Sequence, residues 1–361
     1  MTSPEPIDPS GQGGPDGIVA AVSTVKDTLP RLEQYVARNL AGGVDHLFVL
    51  LDADQPEVAD AFAGHPHVTC VRTDDAWWAD GRPPELNHRQ RINANAVRSL
   101  LGDLGWASWL FHVDGDEVVR VDRQRLAAVP AATPAVRLEV REAVSRMRWE
   151  QPPTWFKRPL EKPELRRLVR RGVIARPSNG VFLHGHADGK AGVRPAGDAW
   201  LTLHDPVGPD GGAVETAADA SFLVLHYESY SGEEFARKWT ALAQAGPDTR
   251  LRPVRQRTMD VVQELLARGL APDALERELL ALYERTIAED LDLLRELGVV
   301  EHIDADRGAH RPAALTDEQR AQLAAGLDRL VGRPKAGFRP PANRPTEPPA
   351  VTAAPRLRRR S

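Results

Sequence analysis

Trp109-Leu110-Phe111-His112-Val113-Asp114-Gly115-Asp116-Glu117 is the stretch that decides the fold. Its apolar part does not alternate, which suits a central strand covered on both faces. It stops abruptly at carboxylates, and the carboxyl end of a strand is where open α/β sheets bind ligands. If the strand continues, Asp114 and Asp116 point the same way and both can face one cation. Carboxylate oxygens suit Mg²⁺ or Mn²⁺, which hold substrate phosphates through one or two protein ligands and keep water on the rest. Gly115 would let a diphosphate approach the backbone. Asp-Gly-Asp is equally a turn after a strand, because both residue types favour turns.

Upstream, short apolar runs at 18–22, 47–51 and 68–72 alternate with amphipathic stretches at 29–40 and 58–63, and a longer helix is expected over 87–104. That alternation predicts a parallel sheet with crossover helices, the size of a nucleotide-binding half. Asp52 and Asp54 close the second run and are candidates to contact ribose or base; Asp74 and Asp75 close the third. Downstream, prolines separate short runs such as 136–140 and 173–175, which predicts loops and mixed strands where an acceptor would be recognised. From Ser231 the period becomes helical. Ser231 is a cap candidate, Phe235, Trp239 and Leu242 share a face, and helices are expected at 254–268, 272–297 and 317–330. The expected division is a disordered tail at 1–16, a nucleotide-sugar-binding half at 17–125, an acceptor half at 126–230, a helical region at 231–331 and a disordered Pro/Arg-rich tail at 332–361.

The chain has 361 residues, 42% apolar and 27% charged, enough to bury a sizeable core. A net charge of -4 gives no whole-molecule attraction to nucleic acid, and no nucleic-acid partner is expected. The single cysteine, Cys70, lies in an apolar run and is expected as a small core residue. The N-terminus lacks a basic start followed by an apolar stretch, so a cytoplasmic location is expected. Between Arg137 and Arg176 there are twelve Lys/Arg against five Glu, interleaved with Trp149, Trp155 and Phe156. That mixture suits an anionic acceptor, a phospholipid-linked glycan or peripheral contact with the inner face of a membrane, with Trp155 as a stacking platform. Exposed arginines paired with the glutamates explain it as well.

Several separated motifs resemble glycosyltransferase family 2, in the branch whose strand ends in D-x-D-E. Val22-Ser-Thr-Val-Lys26-Asp27 resembles that family's first strand and turn, and Gly43-Val-Asp45-His46-Leu-Phe-Val-Leu-Leu-Asp52 its second strand. Gln90 and Asn95 fit the helix before the acidic motif, and Asp114-Gly-Asp116-Glu117 the motif itself. Lys190-Ala-Gly-Val-Arg194-Pro195, His204, Leu225-His226-Tyr227, Ser231, Glu234, Phe235 and Lys238 resemble its acceptor-side block. The likeness covers about residues 18–240. It implies a GT-A fold with an open mixed α/β sheet, a divalent metal, and inverting sugar transfer from a nucleotide-sugar donor to a saccharide or lipid-linked acceptor. Lys26, Asp27, Gln90 and Asn95 are thereby donor-side candidates. Thr28 stands where a glutamate is usual, and Asp52-Ala-Asp54-Gln55-Pro56 departs from the common pattern, which leaves the nucleotide open.

Inverting transfer needs positive charge at the leaving diphosphate and a base for the acceptor hydroxyl. Asp114 and Asp116 are the metal candidates, with His226 as a further ligand for metal or phosphate and Glu117 as a brace for the loop. Asp188 and Glu228 are the candidate bases, Asp188 preferred. Lys190 and Arg194 are candidates to pair with phosphate or an acidic acceptor. His184, His186, His204 and His226 match no tight zinc spacing. Two other classes compete. D-x-D-x-V also fits the haloacid-dehalogenase-like phosphatases, with Asp114 as nucleophile and Asp116 as acid/base, although that fold opens with this strand. A non-catalytic nucleotide-sugar or glycan-binding protein is the third reading.

Overall fold

The computed structural model describes residues 17–244 and 253–342. The tail expected at 1–16, and residues 343–361 of the tail expected at the other end, lie outside the described residues. Strands β1 (Ile18–Val25), β2 (His46–Leu51) and β3 (Val68–Arg72) alternate with helices α1 (Leu29–Ala41) and α2 (Pro56–Ala61). Helix α3 (Leu86–Leu104) then leads into β4 (Ala107–His112). The four strands run parallel in the order β4-β1-β2-β3. Every residue of β1 is buried. Val19 and Ala21 enter one apolar cluster while Ile18, Ala20 and Val22 enter another, so the strand is covered on both faces.

After the acidic loop come β5 (Glu117–Arg120), α4 (Arg123–Ala127), β6 (Ala135–Ala143), β7 (Trp155–Lys157), α5 (Lys162–Arg170) and α6 (Asn179–Phe182). Then follow β8 (Lys190–Val193), the two-residue strands β9 (Trp200–Leu201) and β10 (Pro206–Val207), and β11 (Thr216–His226). Strand β8 pairs antiparallel with β4, and β6 and β7 extend the sheet from it. Strand β11 lies parallel to β6 and antiparallel to β5. The product is an open, mixed, ten-stranded sheet with a Rossmann-like parallel half: a GT-A-like α/β architecture. Its C-terminal helices are α7 (Gly232–Gln244), α8 (Pro253–Ala267), α9 (Pro272–Thr286), α10 (Leu291–Glu296) and α11 (Asp317–Leu330). Helices α7 to α9 close over Phe235, Trp239, Met259, Val262, Leu279 and Tyr283. Among the described residues, no helix is long and apolar enough to cross a membrane.

Three local expectations are corrected. The helix expected over 272–297 is broken at 287–290, because the Glu289 carboxylate turns inward to Lys157 Nζ (2.7 Å) and the Ser145 backbone N–H (2.9 Å). Asp290 then caps α10 afresh. Gly172, at φ 72°, ends α5, and Val173 and Ile174 pack on the core as loop residues. Residues 332–342 are not tail-like, since Lys335 lies 4.3 Å over the Trp77 ring and Phe338 is buried with the same cluster. Cys70 is half-buried, not enclosed. Beyond the expected elements, β12 (Val300–His302) pairs antiparallel with β7, so the C-terminal region contributes an edge strand to the main sheet.

Candidate functional site

The ends of β1 and β4 are pinned together first. The Ser23 hydroxyl donates to the Val113 carbonyl and lies 2.7 Å from the Tyr35 hydroxyl, which ties β1, α1 and the exit of β4 into one unit. Asp114-Gly115-Asp116 is a turn, closed by Glu117 N–H donating to the Asp114 carbonyl (3.0 Å), and Glu117 Oε2 accepts from Asp114 N–H (2.8 Å). Because the chain turns here, Asp114 and Asp116 do not lie along one strand, and they engage different partners. That corrects the expectation that both face one cation.

Asp114 accepts from Gln90 Nε2 of α3 (2.6 Å) and from Lys190 Nζ of β8 (2.7 Å), and Lys190 also lies 3.2 Å from Glu117 Oε2. Gly189, at φ 70°, holds the turn into β8, where a Cβ would meet the Leu138 carbonyl at 2.2 Å. Lys190 is completely buried. Burial opposes its charge, but Asp114 and Glu117 outweigh that and hold its pKa above the ordinary lysine value. Glu117, also completely buried, lies 2.6 Å from His186 Nε2. Despite burial, Lys190 and His186 hold its carboxyl well below the usual range.

Asp116 pairs instead with Lys238 Nζ of α7 (2.7 Å), and the same ammonium donates to Glu228 Oε2 (2.8 Å). Glu228 also accepts from Arg255 Nη1 of α8 and from the Ser229 hydroxyl, each at 2.8 Å. Burial opposes the charge of both carboxylates. Lys238 outweighs it in each, helped by His226 for Asp116 and by Arg255 for Glu228, and both pKa values fall well below the ordinary range. Ser229 sits at φ 44°, a left-handed conformation rare for a residue with a Cβ and concentrated at functional sites.

His226, at the end of β11, stands between the two halves. It stacks on His186 (4.9 Å between ring centroids, 27°), and His186 in turn lies 4.5 Å from His204. Its Nε2 is 3.7 Å from Asp116 and 3.8 Å from Glu228. Burial disfavours the imidazolium, but Asp116, Glu117 and Glu228 outweigh it and raise the pKa to about 9. Gly185 makes that seat available: a Cβ there would lie 2.1 Å from His226 Cε1. Behind it, Glu142 accepts from Lys157 (2.9 Å) and from the His184 (2.7 Å) and Gly185 (2.6 Å) N–H groups. Burial would raise the Glu142 pKa, yet Lys157 brings it down to about 2.

A cleft opens beside Asp116, lined by Asp27, Arg31, Tyr35, Arg38, Gly115, Tyr227, Tyr230, Glu234, Arg237 and Lys238 among others. Of the expected donor residues, Asp27 lines it, Gln90 supports Asp114 from behind, and Lys26 and Asp54 are exposed at their strand ends. Asp52 is held by Arg89 through two bonds of 2.7 and 2.6 Å and faces Arg82 at 2.9 Å. Asn95 is a correction: its amide is spent on the Leu201 backbone, donating at 2.8 Å and accepting at 3.0 Å. Arg194 is another. It stacks on Trp109 and donates to the Thr133, Val129 and Pro130 carbonyls, near the amino ends of β1 and β4 and away from the carboxylates. Trp155 is half-buried in the edge pairing, between His302 and Arg295. Asp188 is exposed on the loop before Lys190, and His204 Nδ1 lies 2.9 Å from the Gly189 carbonyl. Lys238 was read only as part of the acceptor-side block, and Arg255, Glu142 and Lys157 had no assigned role; a lysine ending the otherwise aromatic strand β7 is the signal that marks Lys157.

Two groupings of side chains bring ligand atoms close enough for a metal ion: Glu117, His186 and His226, and Asp116, His226 and Glu228. Asp114 belongs to neither, and both its oxygens are bonded to Gln90 and Lys190. Those same bonds leave it a poor nucleophile for a phosphatase.

No protein-family model matches the chain, and no curated protein does. Among solved structures it is similar to mannose-1-phosphate geranyltransferase from Thermus thermophilus, at 14% identity and a TM-score of 0.26, over 50% of this chain and 58% of that one. It is also similar to the WbbM bifunctional glycosyltransferase (12% identity, TM-score 0.21, 54% of this chain and 33% of that one). A third is the glycosyltransferase GlyE of Streptococcus pneumoniae (8% identity, TM-score 0.25, 87% of this chain and 62% of that one). Each of the three is matched over less than two thirds of its length, and the function rests on the residues of the site itself.

Proposed function

We propose that this protein is a glycosyltransferase that moves a sugar from a nucleoside-diphosphate donor to a hydroxyl of a saccharide or lipid-linked acceptor, with inversion at the anomeric carbon. The observation that carries the reading is the cleft beside Asp116, at the carboxyl ends of β1 and β4. Lys238, Arg31 and Arg237 face it together with Tyr35, Tyr227 and Tyr230. Cations there suit a leaving diphosphate, and aromatic walls suit sugar or base rings. In the transfer, the bond from the anomeric carbon to the diphosphate breaks, the acceptor oxygen bonds to that carbon, and the hydroxyl proton passes to a base. Glu228 is a weak base, because Lys238 and Arg255 hold it as a carboxylate. Asp188 therefore carries the proposal for the base.

A panel of nucleoside diphosphates tests it by thermal shift. The expected result is stabilisation by one of them, diminished in Asp116→Asn. Stabilisation by none, together with phosphatase activity lost in Asp114→Asn, would replace this reading with the phosphatase one.

A further inference from the structure

We infer that two resident ammonium groups, Lys190 and Lys238, occupy the places where a divalent cation would sit, and that Lys238 alone meets the donor diphosphate; the inference rests on the donor reading above. Lys190 Nζ lies between Asp114 Oδ2 (2.7 Å) and Glu117 Oε2 (3.2 Å), and Lys238 Nζ lies between Asp116 Oδ2 (2.7 Å) and Glu228 Oε2 (2.8 Å). Each nitrogen bridges two carboxylates, as a metal would. The other oxygens are also taken. Asp114 Oδ1 accepts from Gln90 Nε2, Glu117 Oε1 is 2.6 Å from His186 Nε2, and Glu228 Oε1 accepts from Ser229. Among the described residues, only Asp116 Oδ1 of these four carboxylates has no hydrogen-bond partner; His186 and His226 add unpartnered Nδ1 atoms, but Mg²⁺ and Mn²⁺ favour oxygen, and one free oxygen is too few to hold either against water.

Charge leads to the same conclusion. Lys190, Lys238 and Arg255 already pair with Asp114, Asp116, Glu117 and Glu228, so a divalent ion would add to a cluster that is close to neutral. The Asp114–Asp116 pair therefore does not fit the metal expected of it. Lys190 is sealed inside, whereas the Lys238 side chain keeps 24% of its surface exposed and lines the cleft with Arg31 and Arg237. Lys238 is thus the cation that meets the leaving diphosphate, and it takes up the negative charge that develops as the sugar–oxygen bond breaks.

Calorimetry with the nucleoside diphosphate picked out by thermal shift is the test, run in EDTA and again in Mn²⁺. The expected affinities agree within about threefold, while Lys238→Met binds about tenfold to a hundredfold more weakly and Lys238→Arg retains most of the affinity. Binding that requires Mn²⁺, or is unchanged in Lys238→Met, would overturn the inference and leave the donor reading standing. No binding in either buffer would overturn both. Should Lys238→Met fail to fold, the unmodified protein still decides: titrated with Mn²⁺ alone, it is expected to leave the free-ion electron paramagnetic resonance signal undiminished, and stoichiometric quenching would overturn the inference.

Discussion

Raising the pH should unload the site through His226, and the size of the effect follows from its surroundings. In the unfolded chain the imidazole titrates near 6.5; in the fold its pKa is raised to about 9, because three carboxylates outweigh the cost of burying the charge. A group whose folded pKa is raised contributes stability that is fully present below the unfolded value and is lost as pH climbs through the folded one. The difference between about 9 and 6.5 corresponds to about 3 kcal/mol, present at pH 6 and nearly gone by about pH 9.5. That is a large fraction of the roughly 5–15 kcal/mol that holds a domain together. The assay is urea unfolding followed by tryptophan fluorescence, on the native protein and on His226→Gln, at a series of pH values across that window. Glutamine keeps an amide in the seat and removes the titration, so other groups cancel in the difference between the two curves. The native protein should lose about 3 kcal/mol more than the variant between the two limits. Parallel curves would refute the assignment of charge to His226. Native stability that rises with pH relative to the variant would mean that burial defeats the carboxylates.

Three further outcomes follow from the same geometry. Lys190→Met should cost about 3–5 kcal/mol in urea unfolding, because it leaves Asp114 and Glu117 without their shared cation, and Glu117→Gln added to it should recover part of the loss. Gly185→Ala should cost about 1–3 kcal/mol and displace the imidazole, visible as a changed His226 titration by NMR, since the added carbon would lie 2.1 Å from His226 Cε1. At the acid end, Glu142 is depressed to about 2 from an ordinary 4.5, so its contribution is present above pH 4.5 and lost as pH falls through 2. The native protein should there lose about 3 kcal/mol that Glu142→Gln does not.

The parallel half was legible because burial on both faces writes itself as unbroken apolar runs in β1 and β2, and the edge strand β3, only partly buried, still shows in the run at 68–72. Strand β11 was harder. Its first six residues are mostly half-exposed and only its last five are buried, so the pattern shows a strand only near His226. The break between α9 and α10 had only the cap residue Asp290 as a local signal, since it serves the long-range contact of Glu289 with Lys157. Asp114 and Asp116 stood out in the sequence as carboxylates closing β4, but their directions were misread, because Asp-Gly-Asp supports strand extension and turn alike and the turn prevails. What neutralises them was not legible. Lys190 is 76 residues from Asp114 and Lys238 is 122 from Asp116, and no periodicity links partners so far apart. Asn95 and Arg194 show the converse: polar residues in a family-like pattern whose side chains are consumed by backbone carbonyls and amides.

The central claim is most directly tested by turnover. The protein is incubated with each of a panel of nucleotide sugars, and released nucleoside diphosphate is measured by ion-pair chromatography, alongside Asp116→Asn and Lys238→Met checked for folding by circular dichroism. Slow release from one nucleotide sugar is expected even without acceptor, and it is lost in both folded variants. Release from none of them by the native protein, or release that both variants retain in full, would contradict the claim.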